Sequence, residues 1–195
     1  MMDVAMQMIS LGLLAVCFVG FSLASFRHFR AGESLGNTAI RVMTFGASVW
    51  FAVICLTAPH PPAHWSIVAL ALSLASFTVF LGSLRSVPDG VLDVAFTGTG
   101  PDRLIRHGIY RRVRHPLYLS YLLYWAAWAC ASQFAWPTVL GLGAFGLIYW
   151  VAARQEETYL AGRFPVEYAA HKRMTGLFWP ILVLADDIED LEGHP

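Results

Sequence analysis

Two short stretches carry side chains whose types and spacing can do chemistry together. The first is Gly108-Ile109-Tyr110-Arg111-Arg112-Val113-Arg114-His115-Pro116-Leu117-Tyr118. Proline suits the first position of a helix, where its missing N–H costs nothing. A helix that starts at Pro116 leaves the amides of Leu117 and Tyr118 unpaired, at an end that carries positive partial charge. With Arg beside it and His115 just ahead, such an end can take an anion. The second stretch is Arg154-Gln155-Glu156-Glu157, with Glu156 41 positions after His115. A helix end that binds anions, facing a carboxylate pair, suits a zwitterionic or cationic small molecule. Each stretch also has a plainer reading. Arg and His commonly mark the end of a membrane span, reaching toward lipid headgroups. Arg154 and Glu157, at i, i+3, can simply pair on a helix surface.

What brings the two stretches together is the chain between them. Pro116–Ala153 runs 38 residues without a charge, too long for one crossing, which takes about 20 residues. Ser132-Gln133 and Trp136-Pro137 interrupt it. The pattern predicts a hairpin, Leu117–Phe134 out and Pro137–Ala153 back, whose two ends lie side by side. Val4–Phe26, Val42–Ala58 and Trp65–Leu84 read as three further spans. The whole chain fits: of its 195 residues 57% are hydrophobic and only 13% charged, about half the charge of a soluble domain. Mean hydropathy is +0.56. The expected class is an all-α integral membrane protein with five transmembrane helices and a cytoplasmic cofactor pocket. It forms one membrane domain over 1–195: three N-terminal spans (1–84), then a cofactor-binding loop, helical hairpin and C-terminal helix (85–185), then an acidic tail (186–195).

Charge fixes the expected orientation. Every basic residue, 12 Arg and Lys172, falls in Arg27–Arg41, Arg85–His115 or the segment after Ala153; Thr57–His64 and Ser132–Trp136 hold none. By the positive-inside rule the N-terminus is outside and the C-terminus cytoplasmic; in a bacterium the membrane is the inner one. The first span carries Asp3 and no leading Lys or Arg, and its apolar run exceeds that of a signal peptide, so it is expected to stay as an anchor. Arg154–Arg173 reads as helical with a break near Pro165. Leu177–Leu184 is too short to span and is expected in the interface with Trp179. Zero net charge gives no reason for a nucleic-acid partner, and no obligate protein partner is evident.

Other motifs carry less. Cys17, Cys55 and Cys130 sit in apolar runs, without disulfide or zinc spacing. Gly141, Gly143 and Gly146 match a dinucleotide fingerprint in spacing alone; inside a span they serve helix packing. His60 and His64 flank Pro61-Pro62, which forbids the helix that would aim both at one metal, and no metal site is expected.

At these residues the sequence resembles the isoprenylcysteine carboxyl methyltransferase and phospholipid methyltransferase superfamily of integral membrane enzymes. The matching pieces are Gly108-Ile109-Tyr110, Arg114-His115-Pro116-Leu117-Tyr118, Glu156-Glu157 with Leu160, and Phe164-Pro165-Val166-Glu167-Tyr168. The resemblance implies S-adenosyl-L-methionine as methyl donor at the cytoplasmic face, held by Asp102, Arg103, Leu104, Ile105, Tyr110, His115, Pro116, Leu117, Tyr118 and Glu156. It implies an enclosed donor and a lipophilic acceptor (a carboxylate, thiol or amine) that arrives from the membrane lipid. Arg154 and Glu157 are the candidates for acting on that acceptor. Two other readings compete: an NADPH-dependent membrane reductase of the sterol-reductase type, with a similar C-terminal architecture, and a non-catalytic membrane binding protein.

Overall fold

The fold was obtained as a computed structural model that describes residues 2–27, 35–57, 59–87 and 104–181. The described residues form six α-helices: α1 Met2–Arg27, α2 Leu35–Thr57, α3 Ala63–Arg85, α4 Pro116–Ala131, α5 Trp136–Arg163 and α6 Pro165–Met174. A short 3-10 helix, Gly108–Arg111, precedes α4. Within α1, α2, α3 and α5, the stretches Asp3–Ala24, Ala39–Thr57, Ala63–Arg85 and Trp136–Arg163 are long and apolar enough to cross a bilayer. The protein is an integral membrane protein on that basis.

α4 is the hub. It has 16 residues, of which Pro116, Leu117, Leu119, Ser120, Tyr124, Trp125 and the run Ala127–Ala131 are buried. A helix that is apolar all round belongs inside a bundle. α3 packs closest to it, along Ser66, Ala69, Ser73, Ser76, Phe80 and Ser83. This alternation of three and four residues is a heptad seam, made almost wholly of small residues that let two backbones approach. Ser76 Oγ donates to the Ser120 carbonyl of α4 at 2.7 Å. α1 meets α3 as well: Cys17 donates its thiol to the Ser73 carbonyl at 3.5 Å.

α2 lies at the rim. Ser48 hydrogen-bonds the Tyr124 hydroxyl at 3.0 Å, and Phe51 turns its edge to Trp125 at 5.8 Å. Its opposite face, with Val42, Phe45, Val49, Trp50 and Val53, is exposed and suits lipid. At one end of the bundle, buried Gln7 ties α1 to two neighbours. Its Nε2 donates to the Cys55 carbonyl at 2.7 Å, and its Oε1 bonds His60 Nδ1. His64 packs on Trp65 instead. Among the described residues no three His, Cys, Asp or Glu side chains converge on a metal position.

The hairpin forms as expected, with its turn at Ser132–Phe134. Gln133 and Phe134 both take left-handed backbone, φ 54° and 58°, at a cost of order 1–3 kcal/mol each. Ser132 Oγ bonds Thr138 Oγ1 at 2.7 Å across the turn, and Phe134 sets its ring against Trp65 of α3 at 5.0 Å. α2 begins at Leu35, ahead of the span expected from Val42. α5 continues ten residues past Ala153, through Arg154–Glu157 to Arg163, as the helical reading of Arg154–Arg173 expects. Nothing between Ala153 and Arg163 breaks a helix, and the charges merely carry α5 out of the apolar layer. The break comes at Phe164, with Pro165 opening α6.

Candidate functional site

The site is assembled where the two ends of the hairpin meet. Pro116 occupies the first turn of α4, and no side chain caps that helix. The amides of Arg114 and His115 donate to the carbonyls of Gly176 and Leu177 at 2.9 and 3.1 Å, and the first intrahelical donor is Leu119, to His115 at 3.1 Å. The amides of Leu117 and Tyr118 lie between, in the turn whose N–H groups a helix cannot satisfy itself.

His115 is 5% exposed. Its Nδ1 lies 3.4 Å from Glu156 Oε2, close enough for attraction and too long for a good hydrogen bond. Its Nε2 is buried without a hydrogen-bond partner. A buried polar atom without a partner costs about 1–3 kcal/mol, so this one calls for a ligand or water. Beneath it the rings stack: His115 on Tyr118 at 5.6 Å and 20°, Tyr118 on Tyr149 at 5.7 Å and 13°. Phe178 places its edge on His115 at 6.4 Å and 71°.

Tyr110 reaches the site from the 3-10 helix. Gly108 makes that approach possible, with φ +61° and no room for a Cβ, which would meet Ser86 Oγ at 2.0 Å. Burial, and then the negative charge of Glu156, push the Tyr110 hydroxyl well above its ordinary pKa. It stays a neutral donor.

Glu156 and Glu157 face different neighbours because successive helical residues are turned by about 100°. Glu156 looks toward α4. Glu157, 4% exposed, looks toward α6, and its carboxylate takes Arg114 Nε at 2.7 Å, Arg154 Nη1 at 3.0 Å and Lys172 Nζ at 3.6 Å. The i, i+3 pair of Arg154 with Glu157 is therefore present, inside a larger ionic cage. Arg154 is half exposed and also lies over the Trp150 ring at 5.7 Å. Beside the cage, His171 of α6 is held down to about 4 by burial and then by the charges of Arg114, Arg106 and His115.

The structure thus brings together His115, Pro116, Leu117, Tyr118 and Glu156, as the hairpin implied, and places Tyr110 beside them, as the resemblance implied. Arg154 and Glu157 join each other. Leu104 and Ile105 are half-buried ahead of the 3-10 helix, and Asp102 and Arg103 lie outside the described residues. Sequence reasoning missed Tyr149, Phe178 and His171. Tyr149 had a signal: it stands seven residues, two turns, before Glu156 and so on the same face of α5. Phe178 and His171 had none, because their approach depends on how the chain folds back after α6.

A sequence model of the phospholipid methyltransferase family matches residues 63–166. That interval is more than half the chain and carries α3, the hairpin, His115 and both glutamates. The chain belongs to this family. The cobalt-zinc-cadmium resistance protein CzcN of Cupriavidus metallidurans is 38% identical to it over 89 residues, 45% of this chain. The alignment spans 40% of that protein's length. Membership makes the chain a membrane protein of a methyltransferase family, and it matches the resemblance seen in the motifs.

Proposed function

We propose that this protein transfers a methyl group from S-adenosyl-L-methionine to a lipophilic acceptor at the cytoplasmic face of a membrane. The observation that carries the reading is the buried, unpartnered His115 Nε2 at an uncapped helix end, with a carboxylate beside it. The residues present fit the donor. The α4 terminus suits its carboxylate, Glu156 its ammonium or ribose hydroxyls, and the faces of Tyr118 and Tyr110 its sulfonium. His115 Nε2 gains a partner.

When bound, the sulfonium supplies an activated methyl group for in-line displacement. Such a reaction needs alignment and dryness more than a strong acid or base. The chain's own residues provide both. The His115, Tyr118 and Tyr149 stack forms a rigid wall, and Phe178 covers His115. Tyr110 remains protonated and offers a hydrogen bond. A carboxylate or thiolate acceptor requires no base. Arg154, at the exposed side of the cage, is the residue to hold an acceptor's carboxylate, with Glu157 keeping it oriented.

The orientation proposed is N-terminus outside and C-terminus in the cytoplasm, with α4 crossing as well, the fourth of five in chain order. α4 spans only about 24 Å at 1.5 Å per residue. In support, its hairpin tip meets the start of α3, through Phe134 on Trp65 and Gln133 Nε2 donating to the Pro59 carbonyl at 3.4 Å.

A titration of the purified protein with S-adenosylhomocysteine and with NADPH tests the donor. Saturable binding of the first and none of the second is expected. Binding of NADPH alone would move the chain to the reductase reading, and binding of neither to a non-catalytic one. Label transfer from methyl-labelled donor into membrane extracts then identifies the acceptor, which is expected in the lipid phase.

A further inference from the structure

We propose that Arg114 is a positioning residue that holds residues 175–178 as a strap across the start of α4 and so closes the donor site; the second half rests on the reading of that site given above. The Arg114 guanidinium is engaged on several sides. Nε donates to Glu157 Oε1 at 2.7 Å. Nη1 donates to the Lys172 carbonyl at 3.3 Å and to the Thr175 carbonyl. One planar group therefore ties α5, the last turn of α6 and the chain beyond it. A lysine, with a single point of charge, cannot span the same three acceptors.

The backbone continues what the side chain begins. Val113 and Gly176 pair in a parallel bridge, and the Arg114 and His115 amides donate to the Gly176 and Leu177 carbonyls. Thr175 Oγ1 donates to the His171 carbonyl at 2.6 Å, fixing where the strap leaves α6. Phe178 then lands on His115. Gly176 is buried, and a Cβ there would meet the Trp179 carbonyl oxygen at 1.7 Å, so this turn needs glycine. Beyond it Trp179 and Ile181 are exposed. A segment without its own regular structure opens easily unless specific contacts hold it. Arg114 supplies those contacts from the residue adjoining His115. Closure of the strap and the setting of the His115 ring are thereby linked.

Amide hydrogen exchange and the dissociation rate of S-adenosylhomocysteine, measured on the full chain, test this. Arg114→Ala and Arg114→Lys should both speed exchange at the amides of Arg114, His115 and residues 176–178 by about tenfold or more, with the α3 and α4 interiors unchanged. Gly176→Ala should reproduce the effect with Arg114 intact. Each variant should release S-adenosylhomocysteine faster by a similar factor, with a smaller change in association rate. If Arg114→Ala does not fold, Arg114→Lys and Gly176→Ala carry the test. Unchanged exchange in folded variants overturns the positioning role. Faster exchange with unchanged dissociation overturns the closure. Should the wild-type chain take up no S-adenosylhomocysteine, the donor reading and the closure fall together, and the exchange pattern alone decides whether Arg114 positions the strap.

Discussion

His115 and Glu157 are both buried polar residues, and they differ in how they are satisfied. Glu157 has three cations around it, and magnitudes separate them. Arg154 and Lys172 are about half exposed, where a pair contributes roughly 0–1 kcal/mol. Arg114 is 9% exposed, and removing one partner of a buried pair costs about 3–5 kcal/mol. Glu157→Ala should therefore lower stability in detergent by about 3–5 kcal/mol and Arg154→Ala by less than about 1, as read by chemical denaturation. Equal losses would mean that the cage shares its load. His115 and Glu156 sit in the opposite situation, near each other with Nε2 unpaired. His115→Ala and Glu156→Gln should leave folding intact and weaken S-adenosylhomocysteine binding about 10- to 150-fold, the worth of one charge-assisted hydrogen bond of about 1.5–3 kcal/mol. Arg163→Ala, at an exposed position near the end of α5, is the control. Both variants binding as tightly as the control would remove these residues from the donor site.

At the scale of elements, the hairpin was legible because its signal is crude and strong: 38 uncharged residues with a polar break in the middle. From the hairpin alone His115 and Glu156 were expected to meet, and they do. The turn was not legible in detail, since Gln133 and Phe134 take left-handed backbone that a glycine would have announced. The Glu157 cage was half legible. Arg154 lies one turn away on the same helix, whereas Arg114 and Lys172 come from α4's leading residues and from α6, and no local spacing reports such contacts. The placement of α6 also has a consequence for pH. It buries His171 against Arg114, Arg106 and His115, and holds its pKa near 4 against an ordinary 6.5. The unfolded chain then binds the proton more readily, so stability is complete above about pH 6.5 and falls as pH drops toward 4. His171→Gln should flatten that fall, measured as melting temperature between pH 7 and 4. A fall of the same depth in the variant would assign it to other groups.

Over the whole molecule, polarity is sorted by end. Arg85, Arg106, Arg111, Arg112, Arg114, Arg154 and Lys172 gather where α3 ends, α4 begins and α5 leaves the apolar layer. The opposite end holds Asp3, Gln7, His60 and Gln133, with no Arg or Lys among the described residues there. Asp3 accepts the Ala63 amide at 2.9 Å, so even its one described acid is used to cap α3. Such sorting is what the positive-inside rule reads, and the proposed donor site lies at the basic end. The count of crossings hangs on α4, which is short yet spans the same two ends as α3. Single cysteines at Pro62, Gln133, Arg163 and Glu167 decide the matter, because Cys17, Cys55 and Cys130 are buried and should stay silent toward a membrane-impermeant maleimide. Reagent added from outside should label Pro62→Cys and Gln133→Cys, and Arg163→Cys and Glu167→Cys only after the membrane is opened. Labelling of Gln133→Cys from the same side as Arg163→Cys would mean that the α4–α5 hairpin enters the membrane and returns without crossing it, leaving three crossings. Labelling of Arg163→Cys and Glu167→Cys from outside, with Pro62→Cys and Gln133→Cys reached only after the membrane is opened, would reverse the orientation and put the proposed donor site on the face away from the cytoplasm.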